Sequence, residues 1–303
     1  MHLASCRWPA TARNPPTAHD RPVSTDRLPI GVVLGAVGVD VRWWLDSARR
    51  LDAAGYAGVW SWDHFVSRGV RTDPVLEAWT TLTAAAMVTE RLTVGTFVVN
   101  VMNRHPAVLA RMAATLQEAS GGRFTLGIGI GGHPAEHEAY GIAFPPPGER
   151  AHHLEEAIGV LRALWSGGPV TRSSDLYPLR DAHAYPVPNP APQILIGAGT
   201  PAGARLAARI GDGWAAESDT FEDLLPRYLE ALDAAGRDRS GQRIVLGFGG
   251  RRKRGADPLA AEPLLVAPRE ELARWRDIGA DDLLLTARTS DDVDALVDAA
   301  ERW

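Results

Sequence analysis

The chain reads as an α/β protein folded as a closed (β/α)8 barrel with insertions. Short apolar runs alternate with amphipathic segments several turns long, and eight of each can be counted. Strands that alternate with helices along a whole chain imply a parallel sheet covered on both faces. Eight such units in about 275 residues match the usual size of a closed barrel. An open doubly wound sheet is the alternative arrangement of the same elements.

Taken in order, the strand Ile30 to Leu34 leads to a helix over Asp40 to Ala54, and Ala57 to Trp62 to a helix over Asp73 to Val88. Leu92 to Val99 precedes the helix Pro106 to Ala119, and Phe124 to Ile130 precedes Glu149 to Trp165. Then come Gln193 to Gly197 with Pro201 to Ile210, and Gly213 to Ala216 with Phe221 to Ala235. Ile244 to Gly249 is followed by Pro268 to Ile278, and Asp282 to Thr286 by Ser290 to Trp303. Asp40, Asp73, Thr200, Thr220 and Ser290 stand where a side-chain oxygen accepts from the orphan N–H groups of a helix start. Pro74, Pro106, Pro201 and Pro268 fit first-turn positions, which need no N–H. Gly55, Gly121, Gly167, Gly211, Gly236 and Gly279 follow the last apolar position, where a left-handed residue closes a helix. Pro226 is a misfit that predicts a bend or a late start in the sixth helix.

Composition agrees with one globular domain over residues 28–303: 45% of the chain is hydrophobic and 23% charged, with 37 acidic against 32 basic residues. That balance leaves no electrostatic footprint for nucleic acid or an anionic bilayer. No apolar run approaches the length of a membrane span. The single cysteine, Cys6, allows no internal disulfide and suits a reducing cytoplasm. Residues 1–27 are rich in Pro, Arg, Ala and Thr, carry no acid before Asp20 and show no periodicity, so a disordered extension is expected. Leu3-Ala-Ser-Cys6 has the form of a lipoprotein cleavage box without the apolar core of a secretory signal, and the Arg-rich character also fits a transit peptide or an upstream extension.

A barrel places its chemistry at strand C-termini. The second strand ends in Trp62-Asp63-His64-Phe65, an acid and an imidazole where turn residues are usual. The third runs into Asn100-Val-Met-Asn-Arg104-His105-Pro106. The fourth, Leu126-Gly-Ile-Gly-Ile-Gly-Gly132, has glycine at alternate positions, which costs stability in a packed strand and points to close approach by a flat ligand or by neighbouring backbone. The fifth, Ile194-Leu-Ile-Gly-Ala-Gly-Thr-Pro201, enters a helix through a Gly-rich turn with N-terminal amides that suit an anion.

These residues resemble the luciferase-like flavin and deazaflavin oxidoreductases, whose fold is a (β/α)8 barrel with inserted segments. The resemblance runs from about Leu28 to Trp303. It is carried by Gly58-Val-Trp-Ser-Trp-Asp-His-Phe65, by Val94-Gly-Thr-Phe-Val-Val-Asn100 with Arg104-His-Pro106, and by Gly127-Ile-Gly-Ile-Gly-Gly132 leading to Glu136-His-Glu-Ala-Tyr-Gly141. Arg150 with Leu154-Glu-Glu156, and Gly197-Ala-Gly-Thr200 with Gly211-Asp-Gly-Trp214, complete it. The pattern is closest to the branch that uses coenzyme F420, a deazaflavin with a phosphate and an oligoglutamate tail; the FMN-using branch shares most of these motifs. The resemblance implies hydride transfer between the deazaflavin and a small organic substrate. An FMN-dependent monooxygenase and a non-catalytic flavin-binding protein are the alternatives. A homodimer is implied as well.

Residue by residue, the resemblance puts Asp63 and His64 beside the tricyclic ring and Asn100 near the ring's polar edge; Trp62, a cofactor-binding candidate, stands where an indole would wall a substrate pocket. It places a bulge with a non-prolyl cis peptide at Phe97 and Val98, and gives Gly131 a place in the cofactor site. Gly197, Ala198, Gly199 and Thr200 would offer amides and a hydroxyl to the phosphate. A sugar-phosphate-oxidising member has a glutamate proton donor at the end of the fourth strand, where this chain has Ile130, and that departure argues against the same activity. His64 is the candidate acid and base, since imidazole titrates near neutrality, with Asp63 as its neighbouring carboxylate and His105 as a second candidate. Each has a plainer reading: His64 as a hydrogen-bonded structural residue, Asp63 as a turn cap, Asn100 as a partner for loose backbone groups.

Gly127-x-Gly129-x-x-Gly132 matches the dinucleotide fingerprint, but Pro145-Pro-Pro147 soon interrupts the unit it needs. His133-Pro-Ala-Glu136-His137 spells a zinc-peptidase pattern, yet Pro134 implies a helix start rather than mid-helix ligands, so no metal is expected. Arg251-Arg-Lys-Arg254 is either a solvated basic loop or a contact for the acidic cofactor tail. The long insertion Gly168 to Pro192 is expected to act as a lid over the cofactor.

Overall fold

The computed structural model describes residues 28, 30–249 and 258–302. The extension 1–27 and the basic run Arg251 to Arg254 lie outside the described residues. In chain order the strands are β1 (Ile30–Leu34), β2 (Gly58–Ser61), β3 (Thr93–Thr96), β4 (Val99–Asn100), β5 (Phe124–Gly129), β6 (Val170–Arg172), β7 (Leu179–Ala182), β8 (Gln193–Gly197), β9 (Gly213–Glu217), β10 (Arg243–Phe248) and β11 (Asp282–Ala287). The helices are α1 (Val41–Ala53), α2 (Ala78–Val88), α3 (Pro106–Ala119), α4 (Pro134–Tyr140), α5 (Pro147–Trp165), α6 (Pro201–Ile210), α7 (Ser218–Ala234), α8 (Pro263–Val266), α9 (Pro268–Ile278) and α10 (Ser290–Ala299).

The parallel ladder β3-β2-β1-β11-β10-β9-β8-β5-β4 closes on itself through pairing of β3 with β5. β3 and β4 together make one staff of the barrel, which therefore has the eight parallel staves that the rhythm of the sequence implies. The third stave is interrupted. Its pairing offset to β5 is 124 − 94 = 30 at Val94 and 128 − 99 = 29 at Val99, so one extra residue is accommodated between them, as in a bulge. The peptide bond between Phe97 and Val98 within this interruption is cis. Thr96 fills the gap in the ladder: its hydroxyl donates to the Gly127 carbonyl at 2.7 Å and accepts from the Gly127 N–H at 2.9 Å.

Side chains fill the barrel axis. Val33, Trp60, Leu195, Ala215, Val245 and Leu284 form an interior cluster, with Trp62, Phe97 and Val98 packed on its upper end. The indole of Trp60 lies across Gly95, and Phe97 across Gly247, where an added Cβ would stand 2.6 Å from the ring. Bulky and absent side chains thus face each other across the interior, which is how a tapering barrel reaches native density. A larger apolar layer lies between strands and helices, with Trp44, Trp214 and Tyr228 fully buried and the last two stacked at 5.0 Å.

Several helix ends differ from the expectation. α2 begins at Ala78, capped by Glu77, not at Asp73; the Asp73-Pro74 stretch pairs instead with the segment after β1, through Gly38 N–H to Pro74 and Leu76 N–H to Ala36. α7 starts early, at Ser218, so Thr220 lies inside its first turn and Pro226 inside the helix. Thr289, not Ser290, caps α10, with a reciprocal bond to Asp292; the Ser290 hydroxyl accepts from Trp43 Nε1. Gly211 closes α6 in an extended conformation, φ −84°, whereas Gly55, Gly121, Gly167, Gly236 and Gly279 have positive φ. The insertion 168–192 folds as the hairpin β6-β7 plus a strap along α5: Ser174 and Arg172 bind Glu156, and the Tyr177 hydroxyl meets His153 Nδ1 at 2.7 Å. It lies outside the barrel and contributes no residue to the cavity at the strand C-termini, so it is not a lid. The polar anchors of this segment hold it against helices, not over the barrel mouth.

Candidate active site

One cavity of about 780 Å³ opens at the C-terminal end of the barrel. Trp62, Asp63, His64, Phe97, Val98, Asn100, Gly131, Gly197, Ala198, Gly199 and Thr200, all of which the sequence nominates, line it together. His105 does not: it caps α3, accepting from the Ala107 N–H at 3.2 Å, and its ring packs edge-on against Tyr177.

Neighbouring backbone accounts for the fourth-strand glycines. A Cβ on Gly127 would collide with the Thr96 carbonyl that the bulge pushes inward, and one on Gly129 would stand 3.2 Å from the Gly197 carbonyl and from Val98. Gly197 in turn lies under Val98, 2.6 Å from where its own Cβ would sit. The result is a thin wall between β4, β5 and β8 with only Val98 projecting from it.

His64 leaves the end of β2 and meets a carboxylate, though not the one expected. Its Nδ1 lies 3.0 Å from Oε2 of Glu136 on α4, whose side chain is only 3% exposed. Oε1 of Glu136 accepts from the backbone N–H groups of Phe65 and Val66. Burial pushes this carboxyl up, but the His64 and backbone hydrogen bonds outweigh burial and hold it below the usual carboxylate range. The ionised Glu136 accepts from a proton on Nδ1 of His64, which leaves Nε2 as the nitrogen that Arg68 approaches at 3.4 Å.

Asp63, expected to pair with His64, pairs with Arg104 through both oxygens, at 2.6 and 2.9 Å. The Asn103 amide and the Asn100 N–H add to the same carboxylate. Arg104 also holds Glu77 at 2.9 Å; burial alone would lower its pKa, and the two carboxylates raise it. Held by these bonds, Asp63 ties the end of β2 to the turn after β4.

The N-terminus of α6 closes the far side. The Ala198 N–H is spent on the Ala215 carbonyl, so this amide, unlike the expectation, is not offered to a ligand. Those of Gly199, Thr200 and Ala202 meet no acceptor among the described residues. Thr200 caps the helix by accepting from Gly203 N–H at 3.1 Å, and no atom lies within 4 Å of a Cβ placed on Gly199. Backbone N–H groups at a helix N-terminus, beside open space, make a seat for a phosphate. Arg150, on α5, donates to the Ile130 and Pro145 carbonyls and lies 3.8 Å over the Phe144 ring, pinning the end of β5.

Glu136 and His137 are the residues that sequence reasoning missed. Their signal was present in the zinc-type pattern. The helix does begin at Pro134, and the Glu and His it carries serve His64 and Asn100.

The family model described as luciferase-like monooxygenase matches residues 18–249. The chain belongs to this luciferase-like family. Among curated relatives it is 36% identical over 198 residues to the "F420-dependent glucose-6-phosphate dehydrogenase" of Kineococcus radiotolerans, covering 63% of this chain and 58% of the relative. It is 32% identical over 231 residues to the "F420-dependent hydroxymycolic acid dehydrogenase" of Mycobacterium tuberculosis, covering 75% and 63%. The luciferase-like chain thus spans less than two thirds of the length of either relative. A solved structure of an F420-dependent secondary alcohol dehydrogenase in complex with an F420-acetone adduct shares the fold, with a TM-score of 0.75 at 22% identity over 90% of this chain and 99% of that one.

Proposed function

We propose that this luciferase-like protein is a coenzyme F420-dependent oxidoreductase that moves a hydride between the deazaflavin and a small organic substrate, an alcohol and its carbonyl being the simplest pair. The observation that carries the reading is the single cavity in which a carboxylate-held imidazole, a thin glycine-lined wall and an unspent helix N-terminus converge. The names of the curated relatives support the choice of F420.

The residues present fit such a group. Gly129 and Gly197, with Val98 projecting beside them, would form the wall against a tricyclic ring; Gly199, Thr200 and Ala202 would offer amides to a phosphate; Asn100 would serve the ring's polar edge. When bound, the deazaflavin supplies or accepts a hydride. The protein binds, orients and handles the accompanying proton. His64 would exchange that proton at Nε2, the nitrogen not bound to Glu136, with the Glu136 carboxylate holding the ring through Nδ1. Trp62 shields the substrate side from water, and Asp63 holds the scaffold. Ile130 lines the cavity without a proton to give, which weighs against a sugar phosphate as the substrate.

The family description favours a second reading, an FMN-dependent monooxygenase. Titrating purified protein with F420 and with FMN while following fluorescence separates them. Tight F420 binding with anaerobic turnover of a panel of secondary alcohols, aldehydes and glucose 6-phosphate supports the first. FMN binding with oxygen consumption replaces it. Retention of either without turnover leaves only a binding protein. We also infer a homodimer, supported by the uncharged outer face of α2, where Met87 is exposed; a monomeric mass by light scattering excludes it. Among the described residues no helix is long and apolar enough to cross a membrane.

A further inference from the structure

Asn100 carries one of two side-chain amides that meet at His137, and the orientation of both is fixed by partners that cannot change role. The Asn100 Oδ1 accepts from the backbone N–H of Met102 at 3.0 Å, so its Nδ2 must be the atom 2.8 Å from His137 Nε2. The Asn103 Nδ2 donates to the Asp63 carboxylate at 2.9 Å, so its Oδ1 must be the atom 3.1 Å from the same Nε2. His137 Nε2 therefore faces an N–H and a carbonyl oxygen at once and can satisfy only one of them. Its other nitrogen decides which. Nδ1 lies 3.2 Å from the His133 carbonyl, which only an N–H can satisfy, so a neutral ring carries its proton there and keeps a lone pair on Nε2. That lone pair accepts from Asn100. The ring is 1% exposed and held by Phe144 at 4.3 Å, so water cannot stand in for it.

The remaining N–H of Asn100 Nδ2 has no partner among the described residues, and Asn100 lines the cavity. Gly131 makes room for it: φ is +76°, and a Cβ there would stand 2.5 Å from Nδ2.

We propose that His137 is a positioning residue which, together with the Met102 N–H, holds the Asn100 amide so that it presents a donor, not an acceptor, to the cavity, and that the ligand group selected there is a carbonyl-type oxygen on the polar edge of the cofactor ring. The inference rests on the F420 reading and extends it. It also assigns a task to a buried histidine that the chemistry at His64 does not use.

Fluorescence titration of the full-length protein with F420 tests it, without turnover. His137→Leu is expected to weaken binding by about tenfold, the effect of losing one oriented hydrogen bond. His137→Gln keeps an acceptor on a side chain of similar reach and is expected to return most of that loss. Asn100→Ala is expected to lose a similar amount, and Asn100→Ala with His137→Leu no more than the worse single variant, because the two act through one contact. In turnover the loss falls on the KM for F420 rather than on kcat. Binding by His137→Leu equal to wild type overturns the proposal, and so does a double variant that loses the product of the two single effects. Should His137→Leu not fold, nitrogen NMR of histidine-labelled wild-type protein decides the orientation: a proton on Nδ1 alone supports it, and a proton on Nε2 overturns it. Wild-type protein that binds no F420 marks failure of the cofactor reading itself, a result distinct from loss of the contrast between variants.

Discussion

Glu136 and His137 are adjacent on one turn of α4, and their side chains leave it for different partners: His64, 72 residues earlier, and Asn100, 37 residues earlier. Neither partnership can be read from the chain. Most of the eleven cavity residues nominated from sequence were legible because they stand at or just past strand C-termini, a place the barrel itself defines, whereas Phe97, Val98 and Gly131 were legible through the family resemblance. What pairs with what depends on α4 folding back over the barrel mouth, and so His64 was given the carboxylate next to it in sequence instead of the one next to it in space. Glu136→Gln removes that charge while keeping the shape. It is expected to lower kcat roughly tenfold to a hundredfold, with F420 affinity changed by less than about twofold, measured by steady-state kinetics beside a binding titration. Asp63→Asn tests the opposite assignment. It leaves Arg104 buried without its full partner, and urea unfolding should show a loss of about 3–5 kcal/mol. A fall in kcat at unchanged stability would return Asp63 to the chemistry.

The elements were read well where local chemistry governs their ends. α3, α6 and α9 begin at the prolines that mark them, and the third strand was seen to run to Val99 although an extra residue divides it into β3 and β4. α2 was placed too early because Asp73-Pro74 has the form of a cap and first turn; pairing with Ala36 and Gly38 claims those backbone groups first. Length alone says nothing of which side of a helix a loop will strap, and the insertion lies against α5 instead of over the barrel mouth. At the start of α6, Thr200 serves both the helix and the proposed phosphate seat. Thr200→Ala is expected to cost about 1 kcal/mol of stability through the lost cap. It should also weaken binding of F420 more than that of the same chromophore lacking its phosphate, a difference read by parallel fluorescence titrations. Equal losses for the two ligands would remove the phosphate from α6.

At the scale of the molecule, closure of the barrel depends on the interrupted third stave fitting against β5. The Thr96 carbonyl occupies the space a side chain at 127 would need, so Gly127→Ala must displace backbone. Its expected cost is more than about 3 kcal/mol, or failure to yield soluble protein, judged by thermal unfolding. Acid acts on the whole molecule through its depressed carboxyls. Hydrogen bonds outweigh burial at Glu136 and at Glu77 and set both below the ordinary glutamate value. The stability each contributes is therefore complete above that ordinary value and is lost as pH falls through the lower folded-state one. Urea midpoints measured down the acid limb should show a shallower decline for Glu136→Gln than for the parent chain.

A single seven-residue helix braces both the His64 imidazole and the Asn100 amide. On the proposed roles, sliding it along the barrel rim would disturb reaction rate and cofactor grip in one stroke. The connection from β5 to α5 accordingly behaves as a cassette: transplanted whole between relatives, it should carry its donor's behaviour with it, while piecemeal exchange of its residues should yield hybrids poorer than both parents.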